Sequence, residues 1–137
     1  MSRTAEQRAE RAAEQRSRAV GWGTFAAILF LLLGVFNLID GIAALAGDRR
    51  LAEEELFVGD LTMWGAILLI FGVAQVLVSS LIFRRSPMGQ VGGILLAGFS
   101  LVAHFFVLGA YPLWSLVSMA TAALVIYALL VYGDEFG

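Results

Sequence analysis

The sequence predicts an all-α fold: an integral membrane four-helix bundle with antiparallel neighbouring spans and a short cytoplasmic N-terminal helix. Three observations predict it. Apolar residues make up 60% of the 137-residue chain and charged residues 15%, against about half and a quarter in an ordinary soluble domain. The excess is gathered into four runs, at about 20–46, 61–83, 91–109 and 113–132, each near the roughly 20 residues a helix needs to cross a bilayer core. Hydrocarbon offers a bare peptide group no partner, so such runs must be helical.

The elements follow in chain order. Residues 1–19, "MSRTAEQRAERAAEQRSRA", repeat AEQR at 5–8 and 13–16 and consist mostly of good helix formers. They lack the bulky apolar face of an in-plane anchor. They read as a charged topogenic extension, with a docking helix for a partner as the alternative. The first span, 20–46, ends in "ALA", which imitates a signal-peptidase site. Its apolar run is too long for a signal peptide and its preceding tail carries three Glu, so retention is expected. The outer loop, "GDRRLAEEELFVGD", predicts a short interfacial helix around 51–57. Its adjacent Glu53, Glu54 and Glu55 lack the spacing of a calcium loop. The breaks "RRSPMGQ" and "AYPLW" are short, which makes successive spans antiparallel neighbours. Pro112 can open the fourth helix, where its missing N–H costs nothing. Residues 133–137 are read as a cytoplasmic tail, and 20–132 as one transmembrane domain.

Composition removes several functions. There is no Cys, hence no disulfide or thiolate metal site. A single His, His104, cannot supply the paired imidazoles of a haem or a His-rich zinc site. No metal, no cofactor and no enzymatic activity are expected. A net charge of −2 gives no case for nucleic-acid binding. All nine basic residues are Arg. Seven lie in the tail and the 84–90 loop, and only Arg49 and Arg50 lie in the first loop. By the positive-inside bias both termini face the cytoplasm of a plasma membrane. Trp22 and Tyr132 then mark the inner interface, and Trp64, Tyr111 and Trp114 the outer one.

In lipid, helices pack through small residues and interhelical hydrogen bonds. The first span carries a stripe of Gly23, Ala27, Phe30, Gly34, Asn37, Gly41 and Ala44. The second carries Gly65, Gly72, Gln75 and Ser79, and the third Gly89, Gly93, Ala97, Ser100 and His104. The fourth carries Ser115, Ser118 and Ala122. The first and third helices are expected to turn these stripes inward, with Gly34, Gly41, Gly72, Gly89, Gly93 and Ala97 as packing residues. Asn37 reads as interhelical glue. Asp40 and His104 fall at nearly equal depth, roughly 9 Å below the outer surface, and a carboxylate in lipid needs a partner. An Asp40–His104 contact is therefore expected, with Asn37, Trp64 and Gln75 completing a candidate polar lock or ligand site. "GVFN" at 34–37 and "GVAQ" at 72–75 also match, as helix packing or an old duplication would explain.

The segments "GWGTFAAILFLLLGVFNLIDGIAAL", "DLTMWGAILLIFG" and "YPLWS" resemble a family of small four-helix membrane proteins of unknown function common in actinobacteria. The resemblance covers about residues 21–132. It implies the fold and carries over no activity, cofactor or catalytic residue.

Two classes of function follow. The first is a non-enzymatic scaffold or accessory subunit, surrounded by membrane lipids and packed against itself or a larger membrane complex. The alternative is a small proton-coupled transporter, or a lipid- or quinone-binding protein, that uses Asp40 and His104. Small multidrug pumps also place an acidic residue in the first of four helices, but near mid-membrane, whereas Asp40 lies toward the outer side.

The charge asymmetry makes a direct prediction. Single cysteines at Ser2, Glu54 and Gly137 probe the orientation cleanly because the chain has none of its own. An impermeant thiol reagent on intact cells should label only position 54; labelling at 2 or 137 would reverse the orientation.

Overall fold

The computed structural model describes residues 2–46 and 61–136. Four helices make up almost all of them: α1 (Ser2–Leu45), α2 (Leu61–Phe83), α3 (Pro87–Phe106) and α4 (Pro112–Val131), followed by a 3-10 turn at Gly133–Phe136. All four are long and apolar enough to cross a membrane. The expected outer-loop helix and Glu53, Glu54 and Glu55 lie outside the described residues.

The tail is not a separate short helix. It runs without a break into the first span as the 44-residue α1, about 66 Å long at 1.5 Å per residue. No Pro interrupts it, and its Ala, Glu, Gln and Arg residues all favour helix. The third helix starts and ends earlier than its apolar run. Ser86 is extended (φ −75°, ψ 135°) and Pro87 takes the first turn, where its fixed φ suits the helix. At the other end, Tyr111 is held out of the helical region (φ −131°, ψ 69°) by the proline that follows it. Residues 107–110 form turns, so the helix stops at Phe106.

The most extensive packing lies between α1 and α2. A Cβ built on Gly72 would stand 2.8 Å from the Gly34 carbonyl oxygen, and one on Gly34 would stand 3.1 Å from that of Gly72. Gly41 and Gly65 repeat the relation at 2.9 and 3.0 Å. One heptad further in, the Ser79 hydroxyl donates to the Ala27 carbonyl at 2.8 Å. The contacts step by seven residues, rising on α2 as they fall on α1. That interval keeps one face of each helix on its partner.

The other seams close a ring. Gly89 lies against the backbone of Leu81 and Ile82, and Phe71 meets Phe99 at 5.5 Å between centroids, joining α2 to α3. The Gln90 amide donates to the Leu129 carbonyl at 2.8 Å, tying α3 to α4. Trp22 stacks on Tyr132, and Phe36 meets Trp114 edge-on, joining α1 to α4. The adjacent pairs are thus α1–α2, α2–α3, α3–α4 and α4–α1. The stripes of α1 and α3 both turn inward, but across a diagonal. Gly34 and Asn37 find their seam against α2, not α3.

The core is narrow. Phe30, Ile82, Val125 and Leu129 are fully buried among Ala26, Ala27, Ala97, Ala122 and Ala128. Large apolar side chains point outward instead, with Ile70 72%, Leu95 68% and Leu113 80% exposed. A soluble monomer rarely shows a continuous apolar surface of this kind.

The seam predicts a sharp contrast among glycines. Gly72→Ala or Gly41→Ala places a methyl group on opposing backbone and should cost about 1–3 kcal/mol. Gly98 has nothing within 4 Å of its Cβ position, so Gly98→Ala should be neutral or stabilising. Thermal unfolding in detergent micelles, followed by circular dichroism, measures all three. Equal melting temperatures would remove the seam from the account of stability.

Candidate functional site in the bundle interior

Polar side chains inside the bundle are few, and each has a definite place. Asn37 and Gln75 extend the α1–α2 seam beside the Gly34–Gly72 contact. The Asn37 amide donates to Gln75 Oε1 at 2.5 Å. Gln75 is completely buried, and its Nε2 has no hydrogen-bond partner. The close approach of the two backbones brings these short amides within reach of each other.

The matching segments "GVFN" and "GVAQ" thereby acquire a geometry. Gly34 contacts Gly72 and Asn37 contacts Gln75, so the motifs meet each other across the seam. The flanking contacts, Gly41–Gly65 and Ala27–Ser79, exchange under the same correspondence. The pair is therefore locally two-fold symmetric about Gly34 and Gly72.

Asp40 and His104 are not joined. His104 turns back onto its own helix, with Nδ1 2.8 Å from the Ser100 carbonyl oxygen and 3.3 Å from the Ser100 hydroxyl. A carbonyl only accepts, so Nδ1 carries the hydrogen in this arrangement. Asp40 follows Phe36 by one helical turn, on the flank of α1 whose Phe36 ring meets Trp114 of α4. Among the described residues no hydrogen bond or ion pair links the two. Two physical reasons account for this. Their helices face each other across the diagonal. Asp40 is also exposed, five residues from the end of α1, so its carboxylate is not driven to seek a partner inside the bundle.

Trp64 is half-buried beside Gly65, at the Gly41–Gly65 end of the α1–α2 seam. Ser115 is fully buried with its hydroxyl unpartnered, while Ser100 and Ser118 are also buried. Gly89, Gly93 and Ala97 all face inward on α3. Among the described residues no three His, Cys, Asp or Glu side chains gather to hold a metal ion. The two best-formed hollows lie at the ends of the bundle, one against residues 110–117 and one beside the N-terminal extension.

One polar feature escaped the sequence reading. Arg85, which the charge pattern explains only as a topogenic residue, sits at φ 56° and reaches across to α1. Its Nη2 donates to the Val20 carbonyl at 2.8 Å and to the Thr24 hydroxyl at 3.1 Å. Its Cζ lies 5.8 Å from the ring centroid of Phe136, and Phe136, from the supposed tail, is only 2% exposed. A Cβ at Gly23 would run into the guanidinium. Two signals were present in the sequence: a stripe glycine with no assigned partner, and an aromatic residue closing an acidic tail.

Fold and interior together define a class, the small protein of four membrane-compatible helices held by small-residue seams. The chain belongs to the family described as Domain of unknown function (DUF7144), which matches residues 22–134. No curated protein and no solved structure matches it.

The amide pair predicts non-additive energetics. Asn37→Leu leaves the buried Gln75 amide unsatisfied and should cost about 1–3 kcal/mol. Adding Gln75→Leu removes the stranded amide and should recover at least half of that loss. Unfolding titrations in micelles give the coupling; strictly additive losses would show that the two amides share no bond.

Proposed function

We propose that this protein is a non-enzymatic scaffold or accessory subunit. In this reading four antiparallel spans cross the plasma membrane with both termini in the cytoplasm, and the bundle packs against itself or joins a larger membrane complex. The observation that carries the reading is the use of the interior: the inward-facing small residues and the Asn37–Gln75 amides are committed to contacts between the chain's own helices. Opposite numbering along the α1–α2 contacts supports the antiparallel order. The apolar exterior supports a lipid environment. The N-terminal part of α1 supports assembly, because residues 3–18 form an exposed helical arm about 24 Å long.

The alternative, a proton-coupled transporter or a lipid- or quinone-binding protein built on Asp40 and His104, has less support. Those side chains stand on non-adjacent helices, and His104 is engaged with Ser100. Alternating access also calls for a central site reachable from both sides, and the best-formed hollows are at the ends.

Purification of the tagged full chain in a mild detergent, with native mass spectrometry, tests the assignment. The expected result is an integral membrane protein that resists alkaline extraction and migrates as a defined homo-oligomer or with a stoichiometric protein partner. A monomer that recurrently retains one small molecule, lost on Asp40→Asn with His104→Gln, would replace the scaffold reading with the ligand-binding one.

A further inference from the structure

We propose that the cleft between the N-terminal extension of α1 and the end of α4 binds the headgroup of an anionic phospholipid. The proposal rests on the membrane reading above and adds a ligand to it. The cleft is lined by Ala12, Arg16, Arg18 and Ala19 on one side, and by Tyr132 and Asp134 on the other. Short alanine side chains leave the space open, while the arginines set its charge.

Three observations specify the occupant. The first is depth. Tyr132 is stacked on Trp22 at 5.8 Å with the rings 7° from parallel, and Trp and Tyr collect where hydrocarbon meets headgroups. The cleft opens at that level.

The second is charge. Arg16 and Arg18 line the cleft, and among the described residues Asp134 is the one carboxylate beside them. At the same end of the bundle Arg85 Nη1, buried beside Gly23, lacks an acceptor. A phosphodiester offers the anionic oxygens that a guanidinium fork matches best.

The third is continuity with an apolar surface. Val131 also lines the cleft, and below it the flank of α4 exposes Tyr127, Leu130 and Val131. Acyl chains would run down that flank from a headgroup seated above. A free phosphate ion would use only the upper half, so the geometry commits to a lipid. Asp134 at the rim can accept a hydrogen bond from a headgroup hydroxyl, which favours a glycerol headgroup over choline.

The full chain is reconstituted in vesicles of equal phosphatidylglycerol and phosphatidylcholine, extracted gently, and its retained lipid measured by mass spectrometry. Phosphatidylglycerol should be enriched on the protein, and Arg16→Gln with Arg18→Gln should lower that enrichment at least fivefold, since each interfacial arginine is worth roughly that factor. Arg3→Gln with Arg8→Gln removes the same charge from the far end of the arm and should leave enrichment unchanged. Equal losses in both double variants would reduce the effect to net charge and overturn the site. Thermal stabilisation by inorganic phosphate matching that by phosphatidylglycerol would overturn the lipid assignment. No enrichment in protein that resists alkaline extraction would refute the cleft while leaving the membrane reading intact. Protein extracted at alkaline pH would instead refute the membrane reading itself.

Discussion

Backbone-to-backbone approach between α1 and α2 is the constraint on which the rest of the bundle depends. Lipid tails are as apolar as leucine, so the helices gain little by hiding apolar surface from one another. What remains is dispersion at short range, and it falls away within an ångström. Gly34, Gly41, Gly65 and Gly72 permit the approach because a Cβ at any of them would stand within 3.1 Å of the facing backbone oxygen. This also explains where the large side chains went. A seam that tight has no room for them, so on α2 Ile70 turns outward, an exposure that lipid would accept at no cost.

The same approach determines what the interior amides can do. At ordinary interhelical spacing Asn37 and Gln75 would each need a longer side chain or a bridging water. Beside the Gly34–Gly72 contact they bond directly. Each such bond contributes only about 1 kcal/mol in a membrane, so its larger effect is on register. A slip of one residue along either helix would bring glycine against a branched side chain and strand a buried amide. The heptad step and the amide pair therefore specify one alignment together.

Much of this was legible in the sequence, because small and polar residues at three- and four-residue spacing are costly anywhere except on a seam. Gly23 through Ala44, Gly65 through Ser79 and Gly89 through Ser100 all read as faces, and these are the faces that lie inward. Periodicity, however, gives a face without naming its partner. The pairing of Gly34 with Gly72 instead of with α3, and the separation of Asp40 from His104, depend on which helices are diagonal. Equal depth was a necessary condition for that contact and not a sufficient one. Arg85 was illegible for another reason. A basic residue in an inner loop is already explained by topology, so its reach to Val20 left no unexplained residue in the sequence. Likewise the continuity of α1 follows from the lack of any proline near residue 19, Gly21 and Gly23 being tolerated within the helix, which a change of composition at that point obscures.

The two ends of the α1–α2 pair are held by different physics despite their local symmetry. The outer contact, Gly41–Gly65, is glycine against glycine, while its symmetry mate is Ala27–Ser79, where a hydroxyl donates to a carbonyl. Further inward come Arg85 on Val20 and Gln90 on Leu129, both side-chain donors on main-chain acceptors. Water or a headgroup can replace such a bond one at a time, leaving the helices in place. A glycine contact has no substitute partner, and losing it requires the whole helices to part. Local opening draws on whichever contacts solvent can replace. The end that holds Arg85 and the buried Phe136 therefore combines such replaceable donor bonds with the close approach of Gly89 to Leu81 and Ile82, whereas the opposite end of the α1–α2 pair rests on glycine against glycine.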